Sequence, residues 1–223
     1  MVKVGVVLSG CGFLDGAEIH ESVLTLLALD KAGATSVCFA PDVPQSGVVN
    51  HRTHKPSAAS SGSRNVLEES ARIARGAIQD VAKAKASDLD ALVLPGGYGA
   101  ARNLSTFATA GTSARVEPGV AKLVREMHKA KKPIGAWCIA PALIAAVLQD
   151  EKVHPRLTIG SDESTAKALE AMGAKHVVCP VDECRVDEEQ RIVTTPAYMY
   201  DARISDVAAG IDKAVAALLR MAR

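Results

Sequence analysis

Two rhythms of apolar and polar residues alternate along the chain. Short apolar runs of strand length recur at Val4 to Leu8, Thr35 to Ala40, Asp90 to Leu94, Pro133 to Trp137, Leu157 to Ile159 and Arg191 to Thr194. Between them lie stretches with helical spacing: Ala17 to Lys31, Asn65 to Lys85, Val116 to Lys131, Ala140 to Leu148, Ser164 to Met172 and Ile204 to Met221. The first of these carries its stripe at Ile19, Val23, Leu26 and Leu27, with Asp30 or Lys31 on its edge. Buried apolar strands separated by amphipathic helices predict an α/β fold: a doubly wound, mostly parallel sheet with helices on both faces. Punctuation agrees with this reading. Pro41 stops the second strand and Pro95-Gly96-Gly97 the third. Asn65 with Glu68 three residues later fits a capping box, and Gly173 fits a helix C-terminal stop.

The alternation fails once. Residues 44–63 hold no clear period, and Ser57-Ala58-Ala59-Ser60-Ser61-Gly62-Ser63 has the composition of a flexible linker. The expectation is a single domain over residues 1–223 with a flexible, lid-like insertion at about 44–63.

Composition narrows the function. Hydrophobic residues make up 48% of 223 residues and aromatics only 3%, so the core is built from Ala, Val, Leu and Ile. With 26 basic and 25 acidic residues the net charge is +1, which offers no basic field and few stacking platforms for nucleic acid. No apolar run approaches the ~18 residues of a membrane span. Met1 to Leu8 is too short, and too poor in basic residues, for a secretory leader and reads as a strand. Five cysteines form no disulfide framework and point to a reducing compartment.

The most informative stretch is Pro133-Ile134-Gly135-Ala136-Trp137-Cys138-Ile139-Ala140-Pro141. A strand enters, a helix leaves, and Cys138 sits at the join with Ala two residues before and two after. A nucleophile elbow needs small residues there, because the turn brings them close together. The following helix N-terminus offers free N–H groups and a positive dipole end, so a lowered thiol pKa is expected. Pro95-Gly96-Gly97-Tyr98-Gly99 follows another strand end, where backbone N–H groups can approach a reacting oxygen. In an open α/β sheet such carboxyl-end loops converge on one crevice. The first loop, Ser9 to Glu18, matches a dinucleotide fingerprint only in Gly10 and Gly12. Glu18 follows in the first helical turn, where an acid either shuttles protons or simply supports the dipole. Cys11 is a second thiol of the same loop system, His20 lies on another helix face, and His51 and His54 fall in the insertion. Cys179 and Cys184 form one cysteine pair with no partner pair for zinc.

Taken together, V-L-S-G-C-G-F-L-D-G-A-E-I-H-E, S-R-N-V-L-E-E-S-A-R-I-A-R-G, L-P-G-G-Y-G-A-A-R-N-L-S, C-I-A-P and I-V-T-T-P-A-Y-M resemble the ElbB family, from Val2 to about Leu219. That family is glyoxalase-like and lies in the ThiJ/PfpI superfamily. The resemblance implies a flavodoxin-like, class I glutamine amidotransferase-like fold. It implies Cys138 as nucleophile, Glu18 as the acid hydrogen-bonded to it, and Gly96, Gly97 and Ile139 as the backbone holding an oxyanion. It implies no cofactor and no metal, a homodimer, and a cytoplasmic home, or a mitochondrial one if a transit peptide is removed. The branches that hydrolyse glutamine or peptides place His directly after the nucleophile, where this chain has Ile139. A second position, Thr158 to Asp162, also lacks the His of other branches. The expected activity is therefore slow, glutathione-independent conversion of a 2-oxoaldehyde, glyoxal or methylglyoxal, to its 2-hydroxy acid. The alternatives are a redox or metabolite sensor using the same thiolate, or an accessory subunit resembling an amidotransferase.

Overall fold

The computed structural model describes residues 1–57 and 63–223. In chain order its elements are β1 (Lys3–Val7), α1 (Ile19–Lys31), β2 (Thr35–Ala40), β3 (Val49–Asn50), β4 (Lys55–Pro56), α2 (Val66–Ile73) and β5 (Ile78–Asp80). There follow β6 (Ala91–Leu94), α3 (Tyr98–Arg102), α4 (Phe107–Ala110), α5 (Pro118–Lys129), β7 (Ile134–Trp137) and α6 (Pro141–Gln149). The chain ends with β8 (Arg156–Leu157), α7 (Glu163–Ala171), β9 (Lys175–His176), β10 (Arg185–Asp187), β11 (Ile192–Thr195) and α8 (Ile204–Met221).

Seven strands form one sheet in the order β10-β11-β7-β6-β1-β2-β5. All neighbours are parallel except β10, which runs antiparallel to β11. β6, β7 and β11 are buried along their whole length, as expected for strands covered on both faces. One face carries the core of Leu92, Leu94, Ile134 and Ala136 with α5 and α6; the other carries Val4, Val6, Val93 and Trp137 with α1 and α8. The chain winds outward from β1 through β2 to β5, then returns to the other side of β1 as β6. The switch point therefore lies between β1 and β6, where crevices form at the carboxyl ends of strands.

Several boundaries differ from the pattern. The predicted helix from Asn65 to Lys85 stops at Ala74, because Arg75 and Gly76 turn left-handed at φ 53° and 83°. The chain then forms the edge strand β5 and a 3-10 turn at Val81–Lys83. The predicted strand Leu157 to Ile159 does not join the main sheet. β8 pairs with β9 instead, since the Arg156 N–H goes to the Asp187 carboxylate and the Thr158 N–H to the Thr194 hydroxyl. The stripe of α1 is inverted: its buried residues include Glu21, Ser22 and Thr25, while Ile19, Val23 and Leu27 are exposed.

The ends of the insertion are stitched together by Gln45 N–H to Arg64 O and Val66 N–H to Val43 O. The expected linker composition falls largely on residues 58–62, outside the described residues. The rest forms the β3–β4 hairpin and grips the first loop: the Val49 N–H donates to Asp15 at 2.7 Å, and the Leu14 N–H to His51 Nε2 at 3.3 Å. His51 is thus half-buried and engaged, not a free solvent-exposed histidine.

Candidate active site

Cys138 follows β7 with φ 56°, a left-handed conformation that a β-carbon-bearing residue adopts only under constraint. The constraint is visible. Its N–H donates to Thr195 O of β11 at 3.0 Å, and Ala136 and Ala140 on either side are fully buried. Pro141 opens α6, where a missing N–H costs nothing. The loop after β6 crosses directly against this turn. A β-carbon at Gly96 would run into the Cys138 β-carbon, and one at Gly97 (φ 93°) into the Glu18 N–H and Gly16 O. Both glycines are therefore required by close approach.

Two carboxyls stand one helical turn apart beside the thiol. Glu18 is the N-cap of α1, and its side chain accepts the Glu21 N–H at 2.7 Å. Glu21 is fully buried; it accepts the Gly96 N–H at 2.8 Å and the Tyr198 N–H at 3.2 Å. The acid packed beside Cys138 is Glu21: a β-carbon at Gly96 would meet both the Cys138 β-carbon and Glu21 Oε2. This differs from the expectation that Glu18 holds the thiol: capping turns the Glu18 carboxylate toward the helix end, and the inverted face of α1 drives Glu21 inward. Trp137 fixes the arrangement, donating to the Thr25 hydroxyl at 2.9 Å, which in turn donates to Glu21 O at 2.7 Å. Of the three backbone groups expected to hold an oxyanion, Gly96 has its N–H committed to Glu21. The Gly97 and Ile139 N–H groups favour the thiolate form of Cys138.

Burial governs the titration of the trio. It pushes the Glu21 carboxyl up to about 8, with help from the Glu18 carboxylate. It also raises Glu18. The Cys138 thiol is held well above its ordinary value, first by burial and then by the Glu21 carboxylate. The Gly97 and Ile139 N–H groups act in the expected direction, but burial outweighs them and the thiol is raised rather than lowered.

The thiol and Glu18 border a cavity of about 540 Å³. Its walls come from loops after four different strands: Phe13 after β1, Tyr98 and Phe107 after β6, Ile139 after β7 and Tyr198 after β11. Asp162, the N-cap of α7, closes the far side. The Tyr198 hydroxyl is 2.9 Å from His20 Nδ1, which gives His20 a place at the rim. Cys11 is remote from this grouping; its charged neighbours are Glu69, Arg72, Asp15 and Arg64. Sequence reasoning missed Glu21, Tyr198 and Asp162. Glu21 carried one usable signal, its spacing of three from Glu18 on a predicted helix.

Beyond the thiol on its strained strand-to-helix turn and the buried glutamate beside it, the sequence as a whole matches the DJ-1/PfpI family over residues 12–203. The chain belongs to the DJ-1/PfpI family. Among curated proteins it is 45% identical to the human glutamine amidotransferase-like class 1 domain-containing protein 3, mitochondrial, over 98% of this chain and 83% of that one. The zebrafish ES1 protein, mitochondrial, is 35% identical over 89% of this chain and 77% of its own length. Among solved structures, an isoprenoid biosynthesis protein with an amidotransferase-like domain from Ehrlichia chaffeensis superposes with a TM-score of 0.92 at 37% identity, each chain fully covered. Drosophila DJ-1beta, at 19% identity and a TM-score of 0.53 over 99% and 95% of the two chains, shares the fold. The doubly wound architecture is thus that of other DJ-1/PfpI proteins.

Proposed function

We propose that this DJ-1/PfpI protein is a cofactor-independent, glyoxalase-like enzyme of the ElbB branch, acting on 2-oxoaldehydes. The reading is carried by one observation: Cys138 and Glu18 border the same cavity, with Glu21 fully buried beside them. Near neutral pH Glu21 keeps its proton, so the repulsion it would exert as a carboxylate is absent and its O–H can donate to the sulphur. The S–H of Cys138 adds across the aldehyde C=O, giving a hemithioacetal. Glu18 removes the proton from the former aldehyde carbon and delivers it to the neighbouring carbon through an enediol. One carbon is oxidised and the other reduced within the substrate, so no outside oxidant enters. Gly97 and Ile139 N–H groups are the donors closest to an oxygen on the sulphur-bound carbon. Water then cleaves the thioester, releasing the 2-hydroxy acid and the thiol.

Glyoxal and methylglyoxal consumption without glutathione tests this. Cys138→Ala is expected to abolish turnover, and Glu18→Ala to lower kcat by about 10²-fold or more. Full activity in Cys138→Ala with the fold intact sinks the mechanism.

A second reading is a redox sensor. It is favoured by the lack of any histidine among the described residues lining the cavity, which leaves the thiol without an imidazole base. Mild peroxide would then oxidise Cys138 beside Glu21, and mass spectrometry showing no mass gain there removes the idea. All five cysteines are free, which supports a reducing compartment, cytoplasmic or mitochondrial. No helix among the described residues is long and apolar enough to cross a membrane. The homodimer implied by the family resemblance would be seated by the exposed row Ile19, Val23 and Leu27.

A further inference from the structure

The cavity is far larger than the substrates usually considered for such a thiol. At about 540 Å³ it lies in the range that encloses a drug-sized ligand, and glyoxal or methylglyoxal would fill a corner of it. Its walls are also unusual for this chain. The protein has three Phe, three Tyr and one Trp, and four of these seven, Phe13, Tyr98, Phe107 and Tyr198, line this one cavity. They arrive from separate loops, so helical or strand periodicity does not explain their meeting. Tyr98 is 55% and Phe13 41% exposed, so the core does not need them. Phe13 is held edge-on to His51 at 5.2 Å and to His54 at 6.0 Å, and the Tyr198 hydroxyl is held by His20.

Charge gives the second constraint. Besides the thiol and the two phenols, the titratable residues lining the cavity are Glu18 and Asp162. Asp162 accepts the Thr165 N–H at 2.7 Å, which favours its ionised form. No Lys, Arg or His is among the described lining residues. A carboxylate or phosphate entering here finds acidic walls with no Lys or Arg among the described lining residues, and His20 at the rim is engaged with the Tyr198 hydroxyl, whereas aromatic faces and acids suit a neutral or cationic group.

We infer that the physiological substrate is a 2-oxoaldehyde bearing a flat or bulky apolar group next to its ketone and no negative charge, an aryl 2-oxoaldehyde being the simplest example. The aldehyde carbon would meet Cys138 while the ring lies among Tyr98, Phe107 and Tyr198. The word 2-oxoaldehyde rests on the glyoxalase reading; the preference for neutral apolar groups rests on the walls alone.

The test has two arms. Initial rates are compared for methylglyoxal, phenylglyoxal and 4-carboxyphenylglyoxal. Phenylglyoxal is expected to exceed methylglyoxal in kcat/KM by about tenfold to a hundredfold, and the added carboxylate to remove most of that gain. Phe107→Ala should lower kcat/KM for phenylglyoxal more than for methylglyoxal, and Asp162→Asn, which keeps a helix cap, should restore 4-carboxyphenylglyoxal selectively. Equal or better turnover of methylglyoxal, or no penalty for the carboxylate, overturns the inference. In the second arm Cys138 is alkylated with N-benzyl-iodoacetamide, iodoacetamide and iodoacetate, each rate divided by that of N-acetylcysteine. The expected order is benzyl fastest and iodoacetate slowest. If no aldehyde is turned over, the glyoxalase reading fails and this order alone decides the wall chemistry: its absence, or a Cys138 that none of the three reaches, overturns the inference.

Discussion

At the scale of single residues the site turns on the proton of Glu21, buried beside Cys138. A folded-state carboxyl raised to about 8 keeps its proton where the unfolded chain has lost it. Between the ordinary carboxylate range and pH 8 the unfolded state therefore binds fewer protons, and stability falls as pH rises through that window. Glu21→Gln removes this dependence. At pH 5 the variant should be less stable than wild type by about 1–3 kcal/mol, because the amide NH₂ cannot accept from one of the two N–H groups, Gly96 or Tyr198, that the carboxyl serves. The gap should close as the pH rises toward 8, read by urea unfolding at a series of pH values. A constant gap would mean that Glu21 titrates normally. The same variant should move the midpoint of Cys138 alkylation by iodoacetamide to lower pH, because the carboxylate that repels the thiolate is gone.

At the scale of elements, the meeting of the β6 loop with the β7 elbow is the tightest joint of the site. Gly96→Ala drives a β-carbon into Cys138. The expected cost is roughly 1–3 kcal/mol or more, since the Cys138 β-carbon and Trp137 O are fixed by the main chain of the elbow and cannot move aside. Thermal unfolding should show a lower Tm together with loss of Cys138 reactivity; an unchanged Tm would mean that the two loops separate easily. This joint was legible in the sequence, because Ala136, Cys138 and Ala140 form an elbow pattern and Pro95-Gly96-Gly97 ends a strand. So were the parallel strands, whose apolar runs are continuous. What escaped were features that rest on tertiary partners. β10 is Arg185-Val186-Asp187, three residues, too few to show a period, and exists because β11 offers a free edge. The long helix through Arg75 and Gly76 kept its apolar rhythm at Val81 and Ala84 although the backbone had already turned. The resemblance assigns the thiol contact to Glu18, and nothing in the apolar stripe of α1 marks Glu21, which lies off it. In the fold that helix buries a mixed face, Glu21, Ser22 and Thr25 together with Ala28 and Leu29, and no single-sequence period records it.

At the scale of the molecule, the inversion leaves Ile19, Val23 and Leu27 at spacings of four along the outside of α1, each between 42% and 47% exposed. A row of large aliphatic side chains on a well-formed helix is costly in water, since burying the exposed half of each would gain about 1 kcal/mol. The buried face cannot take them, because Glu21, Ser22 and Thr25 occupy it with hydrogen bonds to the site. The row begins one residue after Glu18, so a second copy docked on α1 would stand at the rim of the thiol cavity. A two-fold contact needs one self-complementary patch, and an apolar helix row meets that condition. Light scattering should therefore give about twice the chain mass at micromolar concentration, with a Tm that rises with protein concentration. Val23→Glu places a charge in the middle of the row at a half-exposed site that makes no core contact. It should yield a folded monomer with unchanged far-UV circular dichroism. Wild type that is already monomeric, or a Val23→Glu protein that remains dimeric, would place the partner elsewhere and leave the α1 row to another use.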